Sequence, residues 1–176
     1  MRKKEPTRRP RAADAYSAAL LGLLAALALA LSILEGLLPA LPVPGARLGL
    51  SNIVTMYALT ALSLPAALGI TAVKAFFALL RGGSAFWMSA AGGLLSTLVM
   101  AGCLRLFRGR MGEVGLGIVG AVAHNTGQLL MALLFMGPPV LAYTPWLLLV
   151  SLATGTVTGL TLHLLLPALH HLKRRL

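Results

Sequence analysis

Apolar residues run through this chain in long blocks, and the few polar positions inside those blocks carry most of its information. A membrane-spanning helix needs about 20 apolar residues. Six segments approach that length: residues 15–38, 48–63, 64–80, 86–104, 114–136 and 146–169. The second and third abut at Ser63-Leu64-Pro65, so the pattern also fits one long kinked segment and a count of five. The fifth carries Gly-Ala-Val-Ala-His-Asn-Thr-Gly-Gln, Gly120 to Gln128, across its middle. There lipid offers no hydrogen-bond partners, so His124, Asn125 and Gln128 must face protein or a water-filled cavity. His124 and Gln128 are four apart and share a helical face, which Asn125 borders. Two readings stand side by side: polar glue between helices, or a ligand or permeation role.

Composition makes the membrane reading secure. With 58% hydrophobic and 11% charged residues and a mean hydropathy of +0.88, the chain cannot cover a water-soluble globule with polar surface. The expected fold is all-α, a single integral membrane domain at residues 15–172. A basic tail (1–14) and a basic end (173–176) flank it.

Charge distribution favours six spans over five. Arg2, Lys3, Lys4, Arg8, Arg9 and Arg11 precede the first run, and Lys173, Arg174 and Arg175 close the chain. Both ends therefore belong in the cytoplasm under the positive-inside rule, which requires an even number of spans. Arg105, Arg108 and Arg110 fall in a loop that the six-helix map also places inside. Arg47 and Arg81 are left outside, and Lys74 lies within a helix. Phe86, Trp87, Tyr143 and Trp146 fall at the expected outer interfaces, where aromatic rings are enriched. The expected location is the plasma membrane, with multiple passes.

The net charge of +11 and pI near 11.4 could suggest nucleic acid, but topology accounts for the charge. The partner of the basic tail is expected to be anionic lipid. The start also resembles a secretory signal, with Ala28-Leu29-Ala30 as a cleavage site, yet the apolar run continues too far and reads as an uncleaved helix. A single cysteine, Cys103, excludes an internal disulfide and a cysteine metal cluster.

In chain order, the first helix carries Ala18, Gly22, Ala26 and Ala30, a stripe of small residues that lets another helix approach closely. It reads as a docking face for another membrane subunit or as packing within the chain. Glu35 follows near the outer end, before a loop with Pro39, Pro42, Pro44 and Gly45. Arg47 and Asn52 then lead into the second helix. Lys74, in the third, must snorkel, find a carboxylate or line a wet cavity. Arg81-Gly82-Gly83-Ser84 reads as a turn, or as a backbone nest for an anion. The fourth helix is rich in Ala, Gly and Ser from Ser89 to Ser96, the mark of close packing.

Other chemistry is short of parts. Gly115 to Gly120 matches G-x-G-x-x-G, but no strand precedes it and no acidic residue follows Glu113, so these glycines are read as packing residues. The acidic residues are Glu5, Asp14, Glu35 and Glu113, none paired in sequence, and no catalytic residue is assigned. His163, His170 and His171 lack metal-ligand companions, so no metal site is expected. No motif names a cofactor.

Three motifs taken together carry a resemblance. Gly-Ala-Arg-Leu-Gly-Leu-Ser-Asn-Ile-Val-Thr from Gly45, Ala-Gly-Gly-Leu-Leu-Ser from Ala91 and the stretch from Gly120 to Gln128 resemble the membrane family called heptaprenyl diphosphate synthase component I, or the Gx transporter family. The likeness runs from about Ile33 to about Leu165, and Thr126 departs from it where an apolar residue is expected. That family is similar to the substrate-binding subunits of energy-coupling-factor transporters. The similarity implies six helices with both ends inside, docking through a small-residue stripe of the first helix, and capture of a small molecule from the outer side.

The two family names imply different functions. Prenyl-chain elongation needs clustered aspartates to hold magnesium on a diphosphate, and this chain has a single Asp. Catalytic prenyl transfer is therefore rejected, while a non-catalytic membrane partner of a separate synthase stays as the alternative, beside a structural membrane subunit. The leading expectation is a small-molecule binding or uptake subunit. Its ligand residues would be Glu35, Arg47, Asn52, Lys74, Arg81, His124, Asn125 and Gln128, and three cations against one anion favour an anionic ligand.

Overall fold

The computed structural model describes residues 12–37, 49–108 and 110–175, with side chains from 15 to 167 within them. Among these the chain forms six α-helices: α1 (Ala12–Leu37), α2 (Leu50–Ala61), α3 (Leu64–Ala78), α4 (Gly83–Leu106), α5 (Glu113–Met136) and α6 (Thr144–Arg175). Short 3₁₀ segments at Leu79–Arg81 and Pro138–Tyr143 link α3 to α4 and α5 to α6. Arg47 and residues 1–11, with all the basic residues of the tail, lie outside the described residues. Lys173, Arg174 and Arg175 continue α6.

Local chemistry sets the breaks. Ser63 is extended, its Oγ accepts the Ala66 N–H across 3.3 Å, and Pro65 sits in the first turn, so α3 starts afresh instead of prolonging α2. The chain therefore carries two helices where one kinked segment was the alternative. Gly82, at φ +121°, turns the backbone between the 3₁₀ segment and α4 in a region that favours glycine.

Five stretches are long and apolar enough to cross a bilayer: Ala15–Leu37, Leu64–Arg81, Gly83–Leu106, Glu113–Met136 and Pro138–Pro167. These make the chain a multi-pass membrane protein. Large apolar side chains such as Leu23, Phe76, Leu134 and Leu164 point outward, a surface suited to lipid. Exposed threonines are satisfied within their own helices: Thr126 donates to the Val122 carbonyl at 2.8 Å and Thr161 to that of Val157 at 2.7 Å. Thr126, where an apolar residue was expected, therefore faces outward without an open hydroxyl.

At 12 residues, α2 is about 18 Å long, shorter than a bilayer's apolar core. It is instead the centre of the bundle. Among the described residues α1, α3, α4, α5 and α6 form an arc in which each touches the next, and α2 touches all five. Its Val54 and Ala58 pack with Leu24, Ala28, Ala67 and Ile70 of α1 and α3. Its Ile53 and Met56 pack with Met100, Leu116 and Leu162 of α4, α5 and α6. α1 and α6, at the ends of the arc, do not touch each other.

Glycines set the closest approaches. A β-carbon at Gly117 would collide with the Gly155 carbonyl oxygen and stand 2.8 Å from Gly159 N, so α5 and α6 meet backbone to backbone. Two glycines of the G-x-G-x-x-G stretch, Gly117 and Gly120, thus serve packing, with Gly120 seated against Met100.

Candidate functional site

The polar residues inside the bundle gather at the N-terminal end of α2 and spread from there across α3, α4 and α5. Gly49 precedes α2 with φ +74° and supplies no capping side chain. The cap comes from α1 instead: Glu35 Oε1 accepts the Leu50 N–H at 2.8 Å. A carboxylate is favoured there, because first-turn N–H groups lack partners in their own helix and carry the positive end of its dipole.

One turn along, α3 brings Lys74 to the same end of α2. Its ammonium donates to Asn52 Oδ1 at 3.0 Å and lies 3.5 Å from Thr55 Oγ1, with only 6% of the residue exposed. Asn52 and Thr55 are three apart and share a helical face. Ser51 is buried in the same turn. An ammonium inside an apolar bundle costs several kcal/mol unless oxygen atoms surround it, and these residues provide that setting.

The polar band continues sideways. Thr71 and Thr97 hydroxyls meet at 3.1 Å between α3 and α4, and Ser96 Oγ donates to the Gly120 carbonyl at 2.8 Å between α4 and α5. His124 and Gln128 turn toward α4, where Gly92 makes room: a β-carbon there would lie 2.8 Å from the His124 carbonyl oxygen and 2.9 Å from Gln128 Cγ. Asn125 faces the other way and donates its Nδ2 to Ser151 Oγ on α6 at 2.7 Å. His124, Asn125 and Gln128 are all buried.

The structure thus brings Glu35, Asn52 and Lys74 together at α2, and directs His124 and Gln128 away from Asn125. Arg81 ends the first 3₁₀ segment, exposed, with Nη1 3.9 Å from where a β-carbon on Gly36 would stand. Ala18, Gly22, Ala26 and Ala30 are all exposed, on the side of α1 opposite the buried Leu24, Ala28 and Ser32. Among the described residues no three His, Cys, Asp or Glu side chains converge as metal ligands. His163, in the second half of α6, pairs with Glu113 across 3.1 Å.

Sequence reasoning missed Thr55, Ser151 and Gly92 as site-building residues. Thr55 was findable from its spacing to Asn52, but the partners on other helices leave no local signal. A small cavity bounded by Asn52, Met56, Met100, Gly120 and Thr158 has room for about one water beside the polar cluster. A larger open groove of about 930 Å³, lined by apolar side chains including Leu29, Phe76, Phe77 and Phe86, lies between α1, α3 and α4.

The three sequence motifs meet in this geometry. The stretch from Ala91 to Ser96 packs on the stretch from Gly120 to Gln128, through Gly92 against His124 and Ser96 against Gly120. The motif from Gly45 reaches into the start of α2, where its Asn52 meets Lys74. No curated protein and no solved structure matches the chain. Residues 24–165, which hold all three motifs, match the family model described as heptaprenyl diphosphate synthase component I, and the chain belongs to that family.

Proposed function

We propose that this protein is a non-catalytic membrane subunit that binds a small anionic molecule at the N-terminal end of α2, for uptake from the outer side. The observation that carries the reading is Lys74, a buried ammonium held by Asn52 and Thr55 beside the positive end of a helix. Together they favour negative charge in a region of low dielectric. The chain lies in the plasma membrane with both termini inside, as the basic residues at its ends support. A partner membrane subunit packs on the exposed stripe of Ala18, Gly22, Ala26 and Ala30.

A second reading has the family description in its favour. A component implies a partner subunit, and this chain would then be the membrane partner of a separate prenyl diphosphate synthase. The diphosphate of such a product is itself anionic, so both readings use the same site.

Titration of the purified protein in lipid nanodiscs with inorganic diphosphate tests the binding site. Lys74→Met should weaken binding tenfold or more, the size of one charge-assisted hydrogen bond, and Lys74→Arg should retain most of it. Equal affinity in wild type and Lys74→Met would sink the reading. Native mass spectrometry then separates the two functions, by whether a second membrane protein or a soluble aspartate-rich synthase co-purifies.

A further inference from the structure

Glu35 caps a helix that it does not belong to. It sits in the last turn of α1, and its carboxylate reaches the Leu50 N–H where the local chain offers only Gly49. Asn and Ser are common neutral caps when they precede a helix start, but Ser51 and Asn52 follow Leu50 inside α2. Asn52 instead accepts from Lys74. The cap that the fold uses is therefore an anion supplied from another helix.

α1 is also lightly held. Among the described residues it touches only α2 and α3. In its last two turns Ile33, Leu34, Gly36 and Leu37 are exposed, while Ser32 and Glu35 turn toward the bundle. The Glu35–Leu50 bond thus fastens the C-terminal end of α1 to the central helix.

We propose that Glu35 is an autoinhibitory latch. Its carboxylate occupies the place of the ligand's anionic group at the start of α2, and an incoming anion displaces it and frees the C-terminal end of α1. One anion replaces another, so the first N–H groups of α2 keep a negative partner throughout. The released helix is the one whose exposed small-residue stripe is available to a partner, so occupancy of the site is reported to that surface. The latch rests on the anion-binding reading above.

Two measurements test it. Glu35→Gln keeps an acceptor for the Leu50 N–H and removes the charge, so it should bind inorganic diphosphate about tenfold more tightly than wild type. An equal affinity would make Glu35 a structural cap, and a lower one a ligand contact; either overturns the latch. The second arm needs no ligand: amide exchange across residues 33–37 should be about tenfold faster in Glu35→Ala, and unchanged exchange overturns the fastening. If diphosphate binds neither wild type nor Glu35→Gln, the anion reading fails and the latch with it; faster exchange then leaves Glu35 as a fastening alone.

Discussion

Gly92 on α4 and His124 on α5 are packed so closely that a β-carbon at position 92 would stand 2.8 Å from the His124 carbonyl oxygen. Backbone cannot yield there as a flexible side chain can. Gly92→Ala should therefore destabilise the protein by about 1–3 kcal/mol through overpacking. Gly22 has nothing within 4 Å of its virtual β-carbon, so Gly22→Ala should leave stability unchanged or raise it by up to about 1 kcal/mol, the helix-propensity gain. Thermal unfolding in detergent measures both, and a Gly92→Ala melting temperature at or above that of Gly22→Ala would contradict the packing.

Asn125 and Ser151 form a buried bridge between α5 and α6. Interhelical hydrogen bonds in membranes are worth about 0.6 kcal/mol on average, because the unfolded state finds partners too. A double-mutant cycle with Asn125→Ala and Ser151→Ala should return a coupling near that value, with ligand binding nearly unaffected. A binding loss in Ser151→Ala comparable to that of Lys74→Met would return Asn125 to the ligand site.

Ala26 is exposed on α1, so Ala26→Leu should fold with wild-type stability. If the stripe is a docking face, the same substitution should block close approach of a partner helix and abolish co-purification of native membrane partners. Retention of every partner would leave the stripe as lipid-facing surface.

The asymmetric placement of basic residues predicts the orientation. Reporter fusions after Leu38, Ser63, Arg81, Arg108, Pro139 and Leu176 should read out, in, out, in, out, in. The position after Ser63 is the sensitive one, because α2 is too short to cross unaided. An outward signal at Leu176 would refute the arrangement.

The helices were legible because burial in lipid demands continuous apolar runs. Hydropathy placed α3 at 64–80 and α5 at 114–136, within a few residues of Leu64–Ala78 and Glu113–Met136. An interruption at Ser63-Leu64-Pro65 was visible, but whether it parted two helices or kinked one was settled by the Ser63 cap. Neighbour relations were not legible. Nothing local marks α2 as the helix that meets all the others. The bond of Glu35 to the Leu50 N–H was not legible either, because a backbone N–H is a donor that every helix start presents whatever its sequence. Helical periodicity put His124 and Gln128 on one face with Asn125 at its border, yet only packing tells which helix each side chain meets.

The glycine seam of Gly117, Gly155 and Gly159 has a mechanical consequence. Backbones in direct contact cannot slide or tilt without collision, so α5 and α6 respond to force as one stiff plank. At the other end of the arc, α1 leans on α2 and α3. Compliance is therefore concentrated on the α1 side of the molecule, opposite the α5–α6 seam.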